Sequence, residues 1–288
     1  MNDLEHAAVT ADPALRMQFY EPMVRRYYEC VTAVYRHFWG DSYHFALFQG
    51  TESRQDALLA TERMVAEEGS FRKGLSILDV GCGLGGPALN IAEYSGADIT
   101  GVDLCEHHVR IAAENAQLRG LAGRVRFMAA DGMHLPIADA TFDRVYVFES
   151  GCHMPDKEAF CLECARVLRA GGQFLGLDWM QRDGLTLDEQ ERYVEPICRY
   201  CSLPSMISPA MMSKHLEAAG FDVVVSQQAS QSETLLRNWE PAQQMANAAA
   251  DGWDREALQR VSLGGSALSQ AARVGAFIIG YWRARKRE

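Results

Sequence analysis

Residues 77–87 read Ile-Leu-Asp-Val-Gly-Cys-Gly-Leu-Gly-Gly-Pro, an apolar run that ends in an acid and passes directly into a glycine cluster. A helical pattern follows at once, so this stretch predicts a strand, a tight turn and a helix. Glycine lets a backbone adopt a positive φ and approach a ligand closely, and a helix N-terminus offers unpaired N–H groups to a negative group. The glycines also fit the G-x-G-x-x-G pattern of dinucleotide-binding turns, which alone does not identify the ligand.

Strands and helices alternate on both sides of this turn. The predicted strands cover 76–80, 98–103, 125–129, 142–148 and 173–179, with helices over 85–94, 106–119 and 156–168 and two closing strands at 221–226 and 275–281. Such alternation predicts a mostly parallel, doubly wound sheet. The expected fold class is therefore α/β, a Rossmann-like domain with seven strands.

Acidic residues follow the ends of four of these strands. They are Asp79, Asp103, Asp131 and Glu149. In open α/β sheets the ligand binds beyond the carboxyl ends of the strands. We therefore expect the functional site at this edge, with several carboxylates close together.

Helical segments flank the core of the predicted sheet. Residues 1–70 are expected to form an N-terminal helical cap, and residues 71–288 the α/β domain. A helical insertion at about 185–219 follows the fifth strand, where its place in the chain predicts a lid.

Three finer expectations concern the termini and the cap. Residues 1–12 are predicted to be a frayed tail, and the helical pattern over 13–38 is expected to break at Pro22. The basic end at 283–287 is predicted to be a solvated tail. In the segment Phe38–Phe45 a glycine breaks the helix and polar groups alternate with rings, which is typical of a pocket wall.

Composition excludes several classes of protein. The net charge of -10 argues against nucleic acid and anionic membrane surfaces as main partners. No window reaches the roughly 18 uninterrupted apolar residues of a membrane span, so stable membrane insertion is not expected. The N-terminus lacks the basic and apolar regions of a signal peptide. We expect a cytoplasmic enzyme with reduced thiols; the sequence leaves open whether it forms a homo-oligomer.

Two C-x-x-C pairs, Cys161–Cys164 and Cys198–Cys201, invite comparison with a zinc site. The first pair falls inside a helical pattern, and the separation between the pairs exceeds the usual zinc-ribbon spacing. We therefore expect buried or incidental thiols and no metal site.

The identity of the ligand depends on what surrounds the glycine turn. Asp103 lies about 20 residues beyond it, where a carboxylate accepts bonds from two ribose hydroxyls, which suits NAD and S-adenosylmethionine equally. Asp79 favours S-adenosylmethionine, because an acid directly before the turn attracts a cationic amino-acid head and repels a pyrophosphate. Asp131 is placed to accept a hydrogen bond from an adenine amino group, although a turn role explains it as well. A helical cap before the first strand also differs from the usual dehydrogenase arrangement.

Residues 76–179 resemble class I S-adenosylmethionine-dependent methyltransferases. The motifs at 39–45, 79–87 and 149–157 are similar to those of sterol C-methyltransferases, and tocopherol-type methyltransferases share much of the pattern. The stretch 188–221 looks closer to the tocopherol type. Bacterial prenyl-diphosphate C-methyltransferases are related in fold and chemistry, and they carry a glutamate corresponding to Glu149 that is thought to act as the base.

The resemblance implies a methyl donor, S-adenosylmethionine, and a lipophilic small-molecule acceptor. The expected donor-binding residues are Asp79, Gly81, Gly83, Gly85, Asp103, Leu104, Asp131, Gly132 and Phe148. If the acceptor is an isoprenoid alkene (a C5–C15 prenyl diphosphate, a sterol or a triterpene), methylation leaves a carbocation. Rings stabilise such a cation through cation–π contacts, and the candidate rings are Tyr20, Trp39, Tyr43 and Trp179.

A base must then remove a proton to restore the alkene. Glu149 is the first candidate, and His153, four residues on, is expected to orient it or to take the proton. Tyr43 and His44 are second candidates. A prenyl diphosphate acceptor would also require cationic side chains to bind its two phosphates, with Mg²⁺ as a further candidate cofactor. The candidate side chains in the cap and lid are Arg25, Arg26, Arg36, Arg199 and Lys214.

Other functions remain open at this stage. An O-, N- or aromatic C-methyltransferase acting on a phenol, quinol or amine needs at most one base and no cation cage. A dehydrogenase and a non-catalytic S-adenosylmethionine-binding protein are further alternatives.

Overall fold

The computed structural model describes residues 1–229, 232–239 and 252–288. Its centre is a seven-stranded sheet in the order β3-β2-β1-β4-β5-β7-β6. The strands are β1 (Ser76–Val80), β2 (Asp98–Asp103), β3 (Val125–Ala129), β4 (Phe142–Phe148), β5 (Leu168–Gln181), β6 (Phe221–Gln228) and β7 (Phe277–Lys286). The predicted Rossmann-like α/β class is confirmed.

Strands β1 to β5 pair in parallel, whereas β7 runs antiparallel between β5 and β6. The carboxyl ends of β1 to β4 therefore meet at one edge. Strand β7 extends to Lys286, so the prediction of a solvated basic tail is wrong. Lys286 donates from Nζ to the Leu168 carbonyl at 2.7 Å, and Arg283 pairs with Glu68.

Helices cover both faces of the sheet. They are α1 (Asp3–Ala11), α2 (Pro13–Gln18), α3 (Tyr20–Trp39), α4 (Arg54–Glu68), α5 (Gly86–Ser95), α6 (Glu106–Leu118), α7 (Lys157–Val167), α8 (Leu187–Glu189), α9 (Glu195–Tyr200), α10 (Pro209–Ala218), α11 (Ser232–Leu236) and α12 (Arg255–Arg273). A π-helical stretch joins α8 to α9 at Gln190–Val194, and 3₁₀ turns lie at Gly151–His153 and Arg237–Trp239.

The N-terminus is ordered, contrary to the predicted frayed tail. Asn2 and Glu5 form a capping box that starts α1, and His6 on this helix is fully buried. Arg16 on α2 is also buried and forms two hydrogen bonds with Glu195 on α9 at 2.7 and 2.8 Å. These contacts fix the first helices against the insertion after β5.

The break in the long N-terminal helix falls at Phe19 and not at Pro22. Pro22 lies in the first turn of α3, where its missing N–H has no intrahelical acceptor to satisfy. The helix therefore continues through the proline to Trp39, and Gly40 ends it with φ +82°.

The predicted helical insertion at 185–219 contains α8 to α10, but these helices differ in position. Helix α10 packs against β6 and α7, and α9 packs against α12. No helix within the described ranges is both long and apolar enough to cross a membrane.

Candidate active site

A large cavity opens at the carboxyl ends of β1 to β5. Its empty space, including the open mouth, is about 1310 Å³. The predicted site residues that line it are Tyr20, Trp39, Tyr43, His44, Gly81, Gly83, Asp103, Leu104, Asp131, Gly132, Phe148, Glu149, His153 and Trp179.

The roof of the cavity comes mainly from α3, from the loop after it and from the segment between β6 and β7. Trp239, Val261, Gly265 and Leu268 line the cavity from that segment, whereas the predicted lid at 185–219 contributes Cys201 among the described residues. On this side, the described residues that line the cavity therefore come chiefly from α12 and from the 3₁₀ turn before it.

The glycine turn requires glycine at three positions, for different reasons. Gly81 has φ +79°, and a Cβ there would overlap Ser150. Gly83 has φ +52°, and its Cβ would lie 3.1 Å from Tyr43 Oη. Gly85 has φ +82° and does not line the cavity; its Cβ would lie 2.7 Å from Phe127, so this glycine allows close packing of the turn against β3. Of the three glycines, Gly81 and Gly83 line the cavity.

Asp103 lies at the end of β2 and anchors the turn. Its Oδ2 accepts a hydrogen bond from the Gly83 amide at 2.9 Å, and its Oδ1 accepts one from the Cys105 amide at 2.8 Å. Burial opposes ionisation of this carboxyl group, but nearby His108 and the two amides outweigh it and hold the pKa below its usual value. Asp103 is therefore an anion on the cavity wall, as a ribose-binding role requires.

Asp131 follows β3, an edge strand of the sheet. It accepts hydrogen bonds from Tyr20 Oη at 2.6 Å and from the Met133 amide at 3.0 Å. Burial raises its pKa, but bonds from His134 and Tyr20 outweigh that effect and lower it. Tyr20, predicted as an acceptor-binding ring, is thus held at the Asp131 end, beside the predicted adenine position.

Asp79 does not line the cavity. It is almost fully buried and accepts a hydrogen bond from Tyr146 Oη at 2.9 Å. Burial raises its pKa to about 7. The predicted direct contact between Asp79 and a cationic amino-acid head stays a prediction. In this structure the side chain is buried behind the cavity wall, bonded to Tyr146 on β4.

Glu149 follows β4 in a left-handed backbone conformation, with φ +55°. Its Oε1 accepts a hydrogen bond from the Phe45 amide, and its Oε2 accepts one from Trp179 Nε1, both at 2.6 Å. Burial raises its pKa to about 7, and the charge of His44 partly opposes this rise. A carboxyl group that titrates near neutral pH is suited to accept a proton.

His153 does not contact Glu149. Its Nε2 is hydrogen-bonded to Tyr28 Oη at 2.9 Å, while its Nδ1 is buried and has no partner among the described residues. Burial lowers its pKa to about 4, so the ring is neutral at pH 7. The expectation that His153 orients Glu149 is wrong, because the partners of Glu149 are Phe45 and Trp179.

His44 is a poor candidate for proton transfer. Its Nδ1 lies 2.9 Å from the Phe45 carbonyl and its Nε2 lies 3.2 Å from Glu62 Oε1. Both partners are acceptors, so both ring nitrogens carry protons and the ring is cationic. Burial lowers the pKa of His44, but Glu62 more than compensates and raises it.

Rings dominate the walls between these polar groups. Tyr43 stacks on Tyr35 with centroids 5.6 Å apart, and Trp39 meets Tyr35 edge-on at 5.6 Å. Trp179 stacks on Phe45 at 5.5 Å. Several further rings line the cavity although no sequence motif predicts them as site residues; these are Tyr27, Tyr28, Tyr35 and Trp239.

The predicted diphosphate-binding cations lie elsewhere. Arg36 is exposed and donates from Nε to Asp41 at 2.9 Å. Arg25 pairs with Glu21 and Arg26 with Asp3, while Arg199 and Lys214 are exposed. No lysine or arginine lines the cavity in the described part of the chain, and the segments outside it contain neither residue type.

Many potential metal ligands line the cavity, but few of the described ones lie close enough together to share an ion. All eight cysteines are free, and both C-x-x-C pairs are buried. Among the described residues, one group of three potential ligands comes together, formed by Asp103, Cys105 and His108. Because Asp103 is already bonded to two amides, this group belongs to the glycine-turn network.

The residues present fit S-adenosylmethionine. Gly81 and Gly83 line the cavity, so the backbone of the turn faces the space that a ligand would occupy. The buried Tyr43 hydroxyl has no hydrogen-bond partner among the described residues, so a polar group of a ligand would satisfy it. The carboxylates of Asp103 and Asp131 suit a cationic ligand. Fold and site together define a class I methyltransferase domain.

Comparison with known proteins supports this class and narrows it. A family model described as a methyltransferase domain matches residues 78–176. The chain is 30% identical over 223 residues to sterol 24-C-methyltransferase of Pneumocystis carinii, covering 77% of this chain and 59% of that protein. It is 34% identical over 211 residues to cycloartenol-C-24-methyltransferase 1 of Oryza sativa, covering 73% and 61%. The chain thus spans about three fifths of the length of these relatives.

Solved structures share the whole architecture. The [4+2]-cyclase SpnF superposes with a TM-score of 0.79 at 26% identity, covering 93% of this chain and 97% of that one. Geranyl diphosphate methyltransferase, solved with GPP and sinefungin, gives a TM-score of 0.75 at 16% identity, covering 93% and 99%. At that identity the second match reflects the fold alone. The chain contains a methyltransferase domain in a class I methyltransferase fold, and it is similar in sequence to the sterol C-methyltransferases.

Proposed function

We propose that this chain methylates an alkene carbon of a neutral isoprenoid acceptor, with S-adenosylmethionine as the methyl donor and Glu149 as the base. The observation that carries the proposal is a carboxyl group with a pKa near 7, held by two hydrogen bonds in a ring-lined cavity. An O- or N-methyltransferase forms no carbocation, so the rings around the carboxyl group favour methylation at carbon. The similarity to sterol 24-C-methyltransferases supports the same reaction class.

The reaction balances as follows. The donor supplies an electrophilic methyl group, and its sulfur retains the electrons of the broken bond. The alkene π electrons form the new C–C bond, which leaves a tertiary cation that Trp39, Tyr43 and Trp179 are placed to stabilise. Glu149 then takes a proton from a neighbouring carbon, and the C–H electrons restore the alkene.

The charges of the cavity favour a neutral acceptor over a prenyl diphosphate. A diphosphate needs lysine, arginine or a metal ion to balance it. The cavity wall carries Asp103, Asp131 and Glu149 but no lysine or arginine among the described residues. The geranyl diphosphate enzyme shares the fold, yet here the cationic candidates are directed elsewhere. A sterol, triterpene or other apolar polyene therefore fits better.

A panel of acceptors tests this proposal. Labelled donor is incubated with C5, C10 and C15 prenyl diphosphates, squalene, a sterol and a tocopherol precursor, and the products are identified. We expect transfer to carbon of an uncharged polyene, and about 10²–10⁴-fold lower turnover in Glu149→Gln with unchanged donor affinity. Full turnover in Glu149→Gln excludes it as the base. Product methylated on oxygen or nitrogen supports the alternative methyltransferase class.

A further inference from the structure

A buried carboxylate outside the predicted site lies behind the loop that contacts Glu149. Glu62, on α4, is 1% exposed. Its Oε1 accepts hydrogen bonds from Ser42 Oγ at 2.8 Å and His44 Nε2 at 3.2 Å, and its Oε2 accepts one from Asn90 Nδ2 at 2.7 Å. A buried anion is stable only when it is paired and hydrogen-bonded in this way.

The interaction continues from Glu62 towards the proposed base. His44 donates from Nδ1 to the Phe45 carbonyl at 2.9 Å, and the Phe45 amide donates to Glu149 Oε1 at 2.6 Å. The His44 ring also stacks on Phe148, the residue before Glu149, with centroids 4.5 Å apart and an interplanar angle of 20°. One cationic ring thus contacts both segments that position the carboxylate.

We propose that Glu62 is a positioning residue for Glu149, acting through His44 and the Phe45 backbone. Glu62 keeps His44 protonated and fixes the orientation of its ring. His44 in turn holds the Phe45 amide at Glu149 and places a positive charge near it. This inference deepens the proposed function, because it takes Glu149 as the base.

The chain of contacts has an electrostatic consequence. Burial raises the pKa of Glu149 and the positive charge of His44 lowers it, so a pKa of about 7 is the balance of the two effects. Without a charged His44, Glu149 stays protonated to higher pH. Since a base must be deprotonated to act, the acidic limb of the rate profile then moves upward.

Other titratable groups lie near Glu149 and His44 and also affect their charges. Asp178 on β5 opposes ionisation of Glu149. Burial raises the pKa values of Tyr35 on α3 and Cys152 in the 3₁₀ turn, so both are neutral near pH 7. Asp79 on β1 senses both His44 and Glu62, and burial raises its pKa to about 7.

The test compares Glu62→Gln with Glu67→Gln, a matched removal of an exposed carboxylate on the same helix. For each variant, kcat is measured from pH 5.5 to 9 (roughly the range in which carboxyl groups with raised pKa values titrate), and donor Kd is measured by calorimetry. We expect the acidic limb of Glu62→Gln to move up by about one unit, so that kcat at pH 7 falls about fivefold. Donor Kd should stay within about twofold, and Glu67→Gln should match the unmodified protein.

His44→Gln and the double variant keep the inference falsifiable if Glu62→Gln is too unstable to assay. His44→Gln leaves Glu62 bonded to Ser42 and Asn90, and its acidic limb must move in the same direction. If Glu62 acts through His44, the double variant is no worse than the more impaired single variant. Additive losses, or an unmoved limb in either folded single variant, overturn the inference.

Glu149→Gln separates the two levels of the argument. If that variant abolishes turnover while the Glu62 and His44 variants keep the original limb, only the positioning role fails. If Glu149→Gln retains full turnover, the base assignment and the positioning role both fail.

Discussion

Replacing Gly83 by alanine tests the assignment of the glycine turn as the donor site. Gly83 has φ +52°, and alanine in the left-handed region costs about 1–2 kcal/mol. Its Cβ would also lie 3.1 Å from Tyr43 Oη, which must then move by a few tenths of an ångström. The new methyl group and the displaced hydroxyl both occupy the cavity that the donor is proposed to fill.

Gly184→Ala is the matched control. Gly184 has φ +72° but nothing within 4 Å of its Cβ position, so alanine there adds the backbone cost without a clash. Both variants should lose about 1–2 kcal/mol of unfolding free energy in urea melts. Donor affinity should differ between them: we expect Gly83→Ala to bind S-adenosylmethionine and S-adenosylhomocysteine at least about tenfold more weakly, or about 1.4 kcal/mol.

Calorimetry on the two folded variants decides the matter. A donor Kd for Gly83→Ala within about twofold of that for Gly184→Ala would refute the turn as the donor site. Adding Tyr43→Phe to Gly83→Ala removes the close oxygen contact. If that double variant regains full donor affinity, the loss came from Tyr43 alone and not from the methyl group in the turn.

Two further predictions concern single charged or titratable groups. Asp103→Asn keeps the shape of the anchor but loses its charge, so donor Kd should rise about tenfold or more while acceptor KM changes less; equal effects on both would contradict the ribose role. Burial lowers the pKa of His6 to about 4 from a usual 6.5, so as pH falls from about 6.5 to about 4 the unfolded chain takes up a proton that the folded chain does not. The stability advantage of the unmodified protein over His6→Gln should therefore shrink over that pH range in urea melts, and a constant difference would exclude the effect.

The parallel half of the fold was predictable because its signals are local. Each strand from β1 to β4 is an apolar run followed by an acid or a glycine turn, and such patterns need only a few neighbouring residues. The position of β7 between β5 and β6 was not predictable in this way, since strand order at the antiparallel edge depends on contacts far apart in the chain. Helix α1 has a local signal in the sequence, the Asn2–Glu5 capping box, which indicates a helix start where a frayed tail was predicted.

The candidate site divides along the same line. Asp103, Asp131 and Glu149 could be found because each follows a strand, and Gly81 and Gly83 because the turn between β1 and α5 requires them. Glu62 had no distinguishing signal, since it reads as one more charge on a helix that carries many. Arg36 was predicted to bind a diphosphate because of its place in the cap, but it pairs with Asp41 and does not line the cavity.

The division between core and flanking residues bears on what this domain does. The matched methyltransferase family spans 78–176 and includes Glu149 itself. Both groups that hold the Glu149 carboxylate, the Phe45 amide and Trp179 Nε1, lie outside that span. The same strand tip in a domain with different flanks would carry a glutamate with other partners and another pKa. The proposed base therefore receives both of its described hydrogen bonds from outside the matched domain, one from the loop between α3 and α4 and one from the end of β5.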